Sequence, residues 1–133
     1  MRIEIDTVTP LLNVADVGRS LGWYAHLGFQ EVRRFESDGA LIWALAVNGP
    51  HRLMLNRSTT ISAEERQARP HYGDVVLYFA VASAHDAHAA LAAAGLKPGP
   101  VERQDYGVDE FVLRDPDGYE VAVTSELMQI AHD

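Results

Sequence analysis

An internal repeat constrains the fold of this chain more than any other feature. Thr9 to Phe29, TPLLNVADVGRSLGWYAHLGF, lies without gaps on Val76 to Leu96, VLYFAVASAHDAHAALAAAGL, at a constant offset of 67 residues. Val14 falls on Val81, Asp16 on Ser83, Tyr24 on Leu91 and Gly28 on Gly95. Each copy reads as an apolar strand, an Asp or Ser suited to an N-cap, an amphipathic helix, a Gly suited to a left-handed C-terminal stop, and a new strand. In the first helix Val17, Leu21, Tyr24 and Gly28 form the apolar stripe; in the second, Ala84, Ala87, Leu91 and Ala94 do. Ser83 and Asp86 have the spacing of a capping box.

Short strand-like runs follow each helix: Gln30–Phe35, Ala40–Val47 and Arg52–Asn56, then Lys97–Arg103, Val108–Arg114 and Glu120–Thr124. The separators SDG, NGP, QDYG and DPDG have turn chemistry. Both halves therefore read βαβββ, an α+β class. Module one covers about residues 8–57, a polar linker 58–73, and module two about 74–125, within a single domain of 133 residues. In the linker, Ser62 and Glu65 suggest the start of a short helical turn. One four-stranded half with one helix leaves a sheet face bare. The two halves are therefore expected to curl into a partly closed mixed sheet around a shared cleft, the natural ligand site.

This order of elements, with VADVGRSLGWYAHLGF in the first module and YGVDEFVLRDPDGYEV in the second, resembles the vicinal oxygen chelate superfamily. That group includes glyoxalases, extradiol dioxygenases and bleomycin resistance proteins, so the resemblance implies either a metal enzyme or a metal-free binder. It also implies four metal-ligand positions, which fall here on Thr9, Met54, Val76 and Ala122. None carries an imidazole or carboxylate of the kind that Zn²⁺, Ni²⁺, Mn²⁺ or Fe²⁺ takes from such sites. The expectation is no metal and no cofactor, with Glu120 the single candidate for a displaced ligand.

Alternation along the strands places Thr9, Leu11 and Asn13 inward on the first strand, with Val76, Tyr78 and Ala80 inward on its repeat. Met54, Asn56 and Trp43 join them. In the last hairpin Arg114 opposes Glu120, Val112 opposes Ala122 and Glu110 opposes Thr124, on one face; Tyr106 sits in the preceding turn at the rim. This lining is apolar and aromatic with few polar groups, and no nucleophile with a base is legible. Trp43 and Tyr78 are equally compatible with ordinary core positions.

The three acids of RDPDGYEVAV, Asp115, Asp117 and Glu120, invite a calcium loop, yet Tyr119 and Glu120 stand where such a loop needs an oxygen ligand and a Gly, although Glu126 fits its last position. Asp-Pro-Asp-Gly is better read as a hairpin turn. His85 and His88 have helical spacing but no third ligand, and are expected on a solvated helix flank; His26, His51 and His71 sit near helix ends or turns, and His132 in the tail.

A formal net charge of −8 disfavours nucleic acid and anionic membranes and favours a cationic small molecule. No cysteine and no long apolar run are present, which fits a soluble cytoplasmic protein. The leading expectation is a metal-independent protein that sequesters an antibiotic or similar aromatic, cationic compound, with no catalytic residue; the resemblance implies a homodimer. The alternatives are a glyoxalase- or dioxygenase-type enzyme with displaced ligands, a metal-free enzyme using Glu110 or Glu120 as a base, and a metabolite sensor.

Overall fold

The computed structural model describes residues 1–125. Its chain divides into two compact units, Met1–Ala63 and a second beginning at Glu64. Each unit holds one βαβββ module.

The first unit contains β1 (Leu11–Val14), α1 (Val17–Ala25), β2 (Gln30–Ser37), β3 (Ala40–Asn48) and β4 (His51–Arg57). Its sheet runs β1-β4-β3-β2, with β1 parallel to β4 and the other pairs antiparallel. Asp16 caps α1 by accepting from the Arg19 N–H at 3.0 Å. Gly28 ends the turn after it with a left-handed φ of +85°, where a Cβ would stand 2.6 Å from Asn48 Nδ2. That asparagine donates to the Leu27 carbonyl at 3.0 Å, so the helix exit is tied to the end of β3. Alternation puts Leu12, Val14, Ala44, Ala46, Leu53 and Leu55 in the core, where α1 contributes Val17 and Tyr24. Tyr24 meets Trp23 and Phe29 edge to face, which suits aromatic quadrupoles.

The second unit begins within α2 (Ala63–Gln67) and continues with β5 (Val76–Val81), α3 (Ala84–Ala93), β6 (Glu102–Arg103), β7 (Asp109–Arg114) and β8 (Glu120–Ser125). Its sheet order β5-β8-β7-β6 repeats the first topology, with β5 parallel to β8. Ser83 caps α3 through the Asp86 N–H at 3.1 Å. Phe111, Leu113, Val121 and Val123 are buried on the face that α3 covers, with Ala84 and Leu91 against them.

The α+β class and the two βαβββ modules are as the repeat requires; each module forms its own four-stranded mixed sheet. One strand is much shorter than expected. The run Lys97–Arg103 pairs only at Glu102–Arg103, because Pro98 and Pro100 have no N–H to donate to a ladder. Gly99 still donates to the Val112 carbonyl at 2.9 Å, so this segment runs beside β7 without forming a strand. His88 also departs from expectation: its Nε2 lies 2.9 Å from the Gly99 carbonyl and its ring stands edge-on to Phe111, so it is part of the packing, whereas His85 is exposed. His132 and Glu126 lie outside the described residues.

Candidate functional site

The DPDG turn organises the second unit. Asp115 Oδ1 accepts from the N–H groups of Asp117 at 2.8 Å and Tyr119 at 2.9 Å, which is an Asx turn, and Gly118 takes a φ of +83°. Asp117 is fully buried and bonds Arg66 of α2 at 2.8 Å. Arg69 lies over the Tyr119 ring, 4.2 Å from its centroid, and donates to the Asp117 carbonyl. Arg114, expected to line a cleft, spends its guanidinium on the carbonyls of Arg69 at 2.6 Å and Gly118 at 3.3 Å. The acids of this stretch thus bind backbone amides and cations of the chain itself, which leaves no calcium cage.

These contacts lay residues 69–73 across the face of the sheet opposite α3. On that face the register aligns Val76, Glu120 and Arg114 in one row, Tyr78, Ala122 and Val112 in a second, and Ala80, Thr124 and Glu110 in a third. Every predicted pairing of the β7–β8 hairpin is observed. Ala122 is on this face but fully covered, because it is a small side chain between Tyr78 and Val112.

Two carboxylates on the face are nearly sealed from solvent. Glu110 is 3% exposed and accepts two phenol O–H groups, from Tyr106 at 2.7 Å and Tyr72 at 3.2 Å. The Tyr72 hydroxyl also stands 3.1 Å from that of Tyr78. Glu120 is 5% exposed; it accepts the Tyr72 N–H at 3.1 Å and meets His71 Nδ1 at 2.5 Å. The hydrogen bond with Tyr78, burial and the charge of Glu110 raise the Tyr72 hydroxyl above the ordinary phenol range. Tyr106 is raised as well, chiefly by its hydrogen bond to Glu110 and then by burial. Both phenols therefore remain donors at any physiological pH.

Beside this network lies a cavity of about 230 Å³, lined by His71, Tyr72, Gly99, Pro100, Glu102, Gln104, Glu110, Phe111 and Val112. Ligand pockets usually span roughly 300–1,000 Å³. This one therefore suits a ring or side group better than a whole large molecule.

In the first unit, the predicted residues share one sheet face. Leu11 pairs with Met54, Asn13 with Asn56, and Trp43 with Asn56. Asn56 Nδ2 donates to Asn13 Oδ1 at 3.1 Å. Thr9 is half-buried and lies two residues before β1. Phe35 is opposite Trp43 and 57% exposed, which makes this an apolar, aromatic surface.

Sequence patterning missed His71, Tyr72, Glu102 and Gln104 as site residues. The first two lie in a linker without periodicity; their signal was the HYG triplet beside a Pro, a turn pattern, and nothing in it points toward Glu110 or Glu120.

The family's metal does not fit this chain. Thr9, Met54, Val76 and Ala122 offer no ligand of the required type, and Glu120 is engaged by His71, Tyr72 and, at 3.7 Å, Arg114. Among the described residues no group of three or more His, Asp or Glu could hold a metal ion.

Comparison with known proteins agrees with the fold. A bleomycin-binding protein solved with bleomycin superposes with a TM-score of 0.69 at 18% identity, covering 92% of this chain and 99% of that one. TioX from Micromonospora sp. ML1 gives 0.70 at 20% identity over 90% and 97% of the two chains. A lactoylglutathione lyase from Agrobacterium tumefaciens gives 0.67 at 17% identity over 94% and 97%. No curated protein sequence matches the chain. Among the described residues no helix is long and apolar enough to cross a membrane. The model of the Glyoxalase/Bleomycin resistance protein/Dioxygenase superfamily matches residues 4–123, and with the paired βαβββ modules this shows that the chain belongs to that superfamily.

Proposed function

We propose that this protein is a metal-independent small-molecule binder, which captures an aromatic, cationic compound such as an antibiotic and performs no chemistry on it. The reading includes a homodimer acting in the cytoplasm. The observation that carries it is the state of the two buried carboxylates. Glu110 is held by two phenols, and Glu120 by a backbone amide and a histidine, so neither is free to act as a general base without dismantling its surroundings. Phenols kept protonated can orient a ligand and cannot abstract its proton. The aromatic surface around Trp43 and the acidic balance of −8 favour stacking and a cationic partner. The likeness to a fold that holds bleomycin supports the same reading.

The test is calorimetry and thermal shift with bleomycin and a panel of aromatic cations, on protein dialysed against chelator. A binder is stabilised by mass action, by roughly 2.7 kcal/mol at a ligand concentration of 100 Kd. Saturable heat and a raised Tm are expected; no response across the panel refutes the reading. An enzyme is the second reading, favoured by the buried Glu110 and the likeness to a lyase fold. It gains if purified protein carries stoichiometric metal and loses an activity on chelation.

A further inference from the structure

Residues 69–73 reach the cavity through His71 and Tyr72. Tyr72 occupies the third position of a turn closed by the Gly73 N–H on the Pro70 carbonyl at 3.1 Å, and its φ is +55°. A tyrosine in that left-handed conformation persists only where tertiary contacts impose it, since the position favours Gly or Asn. The imposing contact is visible. Glu120 Oε1 takes the Tyr72 N–H and Glu120 Oε2 takes the His71 ring, so one carboxylate grips two successive residues of the turn. The consequence is at the other end of Tyr72, whose ring walls the cavity and whose hydroxyl bonds Glu110.

We propose that residues 69–73 are a strap closing one wall of the 230 Å³ cavity, and that the Glu120 carboxylate is the latch that holds it shut. Upstream the strap is hinged on fixed points, Arg66 on Asp117 and Arg69 over Tyr119. Release at Glu120 therefore swings His71 and Tyr72 away without freeing α2. The left-handed φ of Tyr72 favours opening, because a released Tyr72 relaxes to an ordinary backbone conformation. Opening then widens a space too small for a whole antibiotic and exposes Glu110 to whatever enters. Glu120 acts here as a positioning residue: it sets the strap and touches no ligand.

Amide hydrogen exchange and thiol labelling test the device without any ligand, so a failed latch and a failed ligand screen are separate results. In the native protein the Tyr72 amide is expected to exchange through a local opening insensitive to low urea, while Phe111 and Val123 exchange only on unfolding of their sheet. Glu120→Ala removes a charged acceptor and is expected to speed exchange at Tyr72 about 10- to 100-fold with Phe111 and Val123 unchanged. Glu120→Gln keeps an acceptor for the Tyr72 N–H and is expected to give a smaller rise; it decides the matter by the same readout if the alanine variant does not fold. The chain has no cysteine, so Val112→Cys on the cavity wall can report access through its rate of reaction with an aromatic disulfide. That rate is expected to rise in the Glu120 variants in step with exchange at Tyr72. An unchanged Tyr72 rate, an equal rise at Phe111 and Val123, or thiol labelling indifferent to Glu120 overturns the proposal.

Discussion

The ion pair between Arg66 and Asp117 should be the costliest polar contact in the second unit to break from one side. The guanidinium is 3% exposed and the carboxylate 0%, with 2.8 Å between them. It joins α2 to the β7–β8 turn, 51 residues away in sequence. Asp117→Asn keeps the shape of the side chain and removes the negative charge 2.8 Å from a buried guanidinium. Removing one partner of a buried pair costs about 3–5 kcal/mol, a large part of the roughly 5–15 kcal/mol that holds a domain folded. Arg66→Met is expected to cost a similar amount for the mirror-image reason. The double variant should lose much less than the sum, with a coupling of about 2–3 kcal/mol, because no uncompensated charge remains. Urea unfolding should be followed by far-UV circular dichroism; Trp23 and Trp43 both lie in the first unit, so tryptophan fluorescence does not report on this pair. A loss below about 1 kcal/mol for Asp117→Asn, or strictly additive losses, refutes the reasoning.

Three further outcomes follow from local geometry. Gly118→Ala adds a Cβ 1.9 Å from the Arg66 carbonyl oxygen at a φ of +83°, so the backbone of α2 must move; a loss of about 3 kcal/mol or more is expected in the same unfolding assay. The raised Tyr72 and Tyr106 hydroxyls stabilise the fold fully below the unfolded phenol value of about 10, and that contribution is lost as pH rises past it towards the folded values. The Tm of the native protein should therefore fall more steeply in alkali than that of a Tyr72→Phe, Tyr106→Phe variant, and phenolate absorbance should show a late-titrating amplitude that this variant loses; an unchanged late amplitude contradicts the network. Asp16→Ala removes the α1 cap and should cost about 1 kcal/mol of stability in the first unit, read by tryptophan fluorescence, with no change meaning that the cap is redundant.

Much of the architecture was legible because it rests on short-range chemistry. The 67-residue repeat, the caps at Asp16 and Ser83 and the glycines at 28 and 95 each depend on a few neighbouring residues, and all appear where expected. The register of the last hairpin was legible for the same reason: once DPDG is a turn, pairing and parity follow without further information. The strand expected at Lys97–Arg103 shows the limit of patterning, because Pro98 and Pro100 lack the N–H groups that a ladder needs, whatever the run around them.

What the sequence by itself determined is the fold, the family and the absence of metal-type ligands at four positions, since these follow from residue types at fixed spacing along the chain. Only the tertiary structure decided what the acids do. Asp117 holds α2, Glu120 holds the strap, and Glu110 is covered by phenols from two separate turns. Each partner lies in a segment without periodicity, and a carboxylate's role depends on which donors and cations reach it through space, a relation that spacing along one chain does not encode.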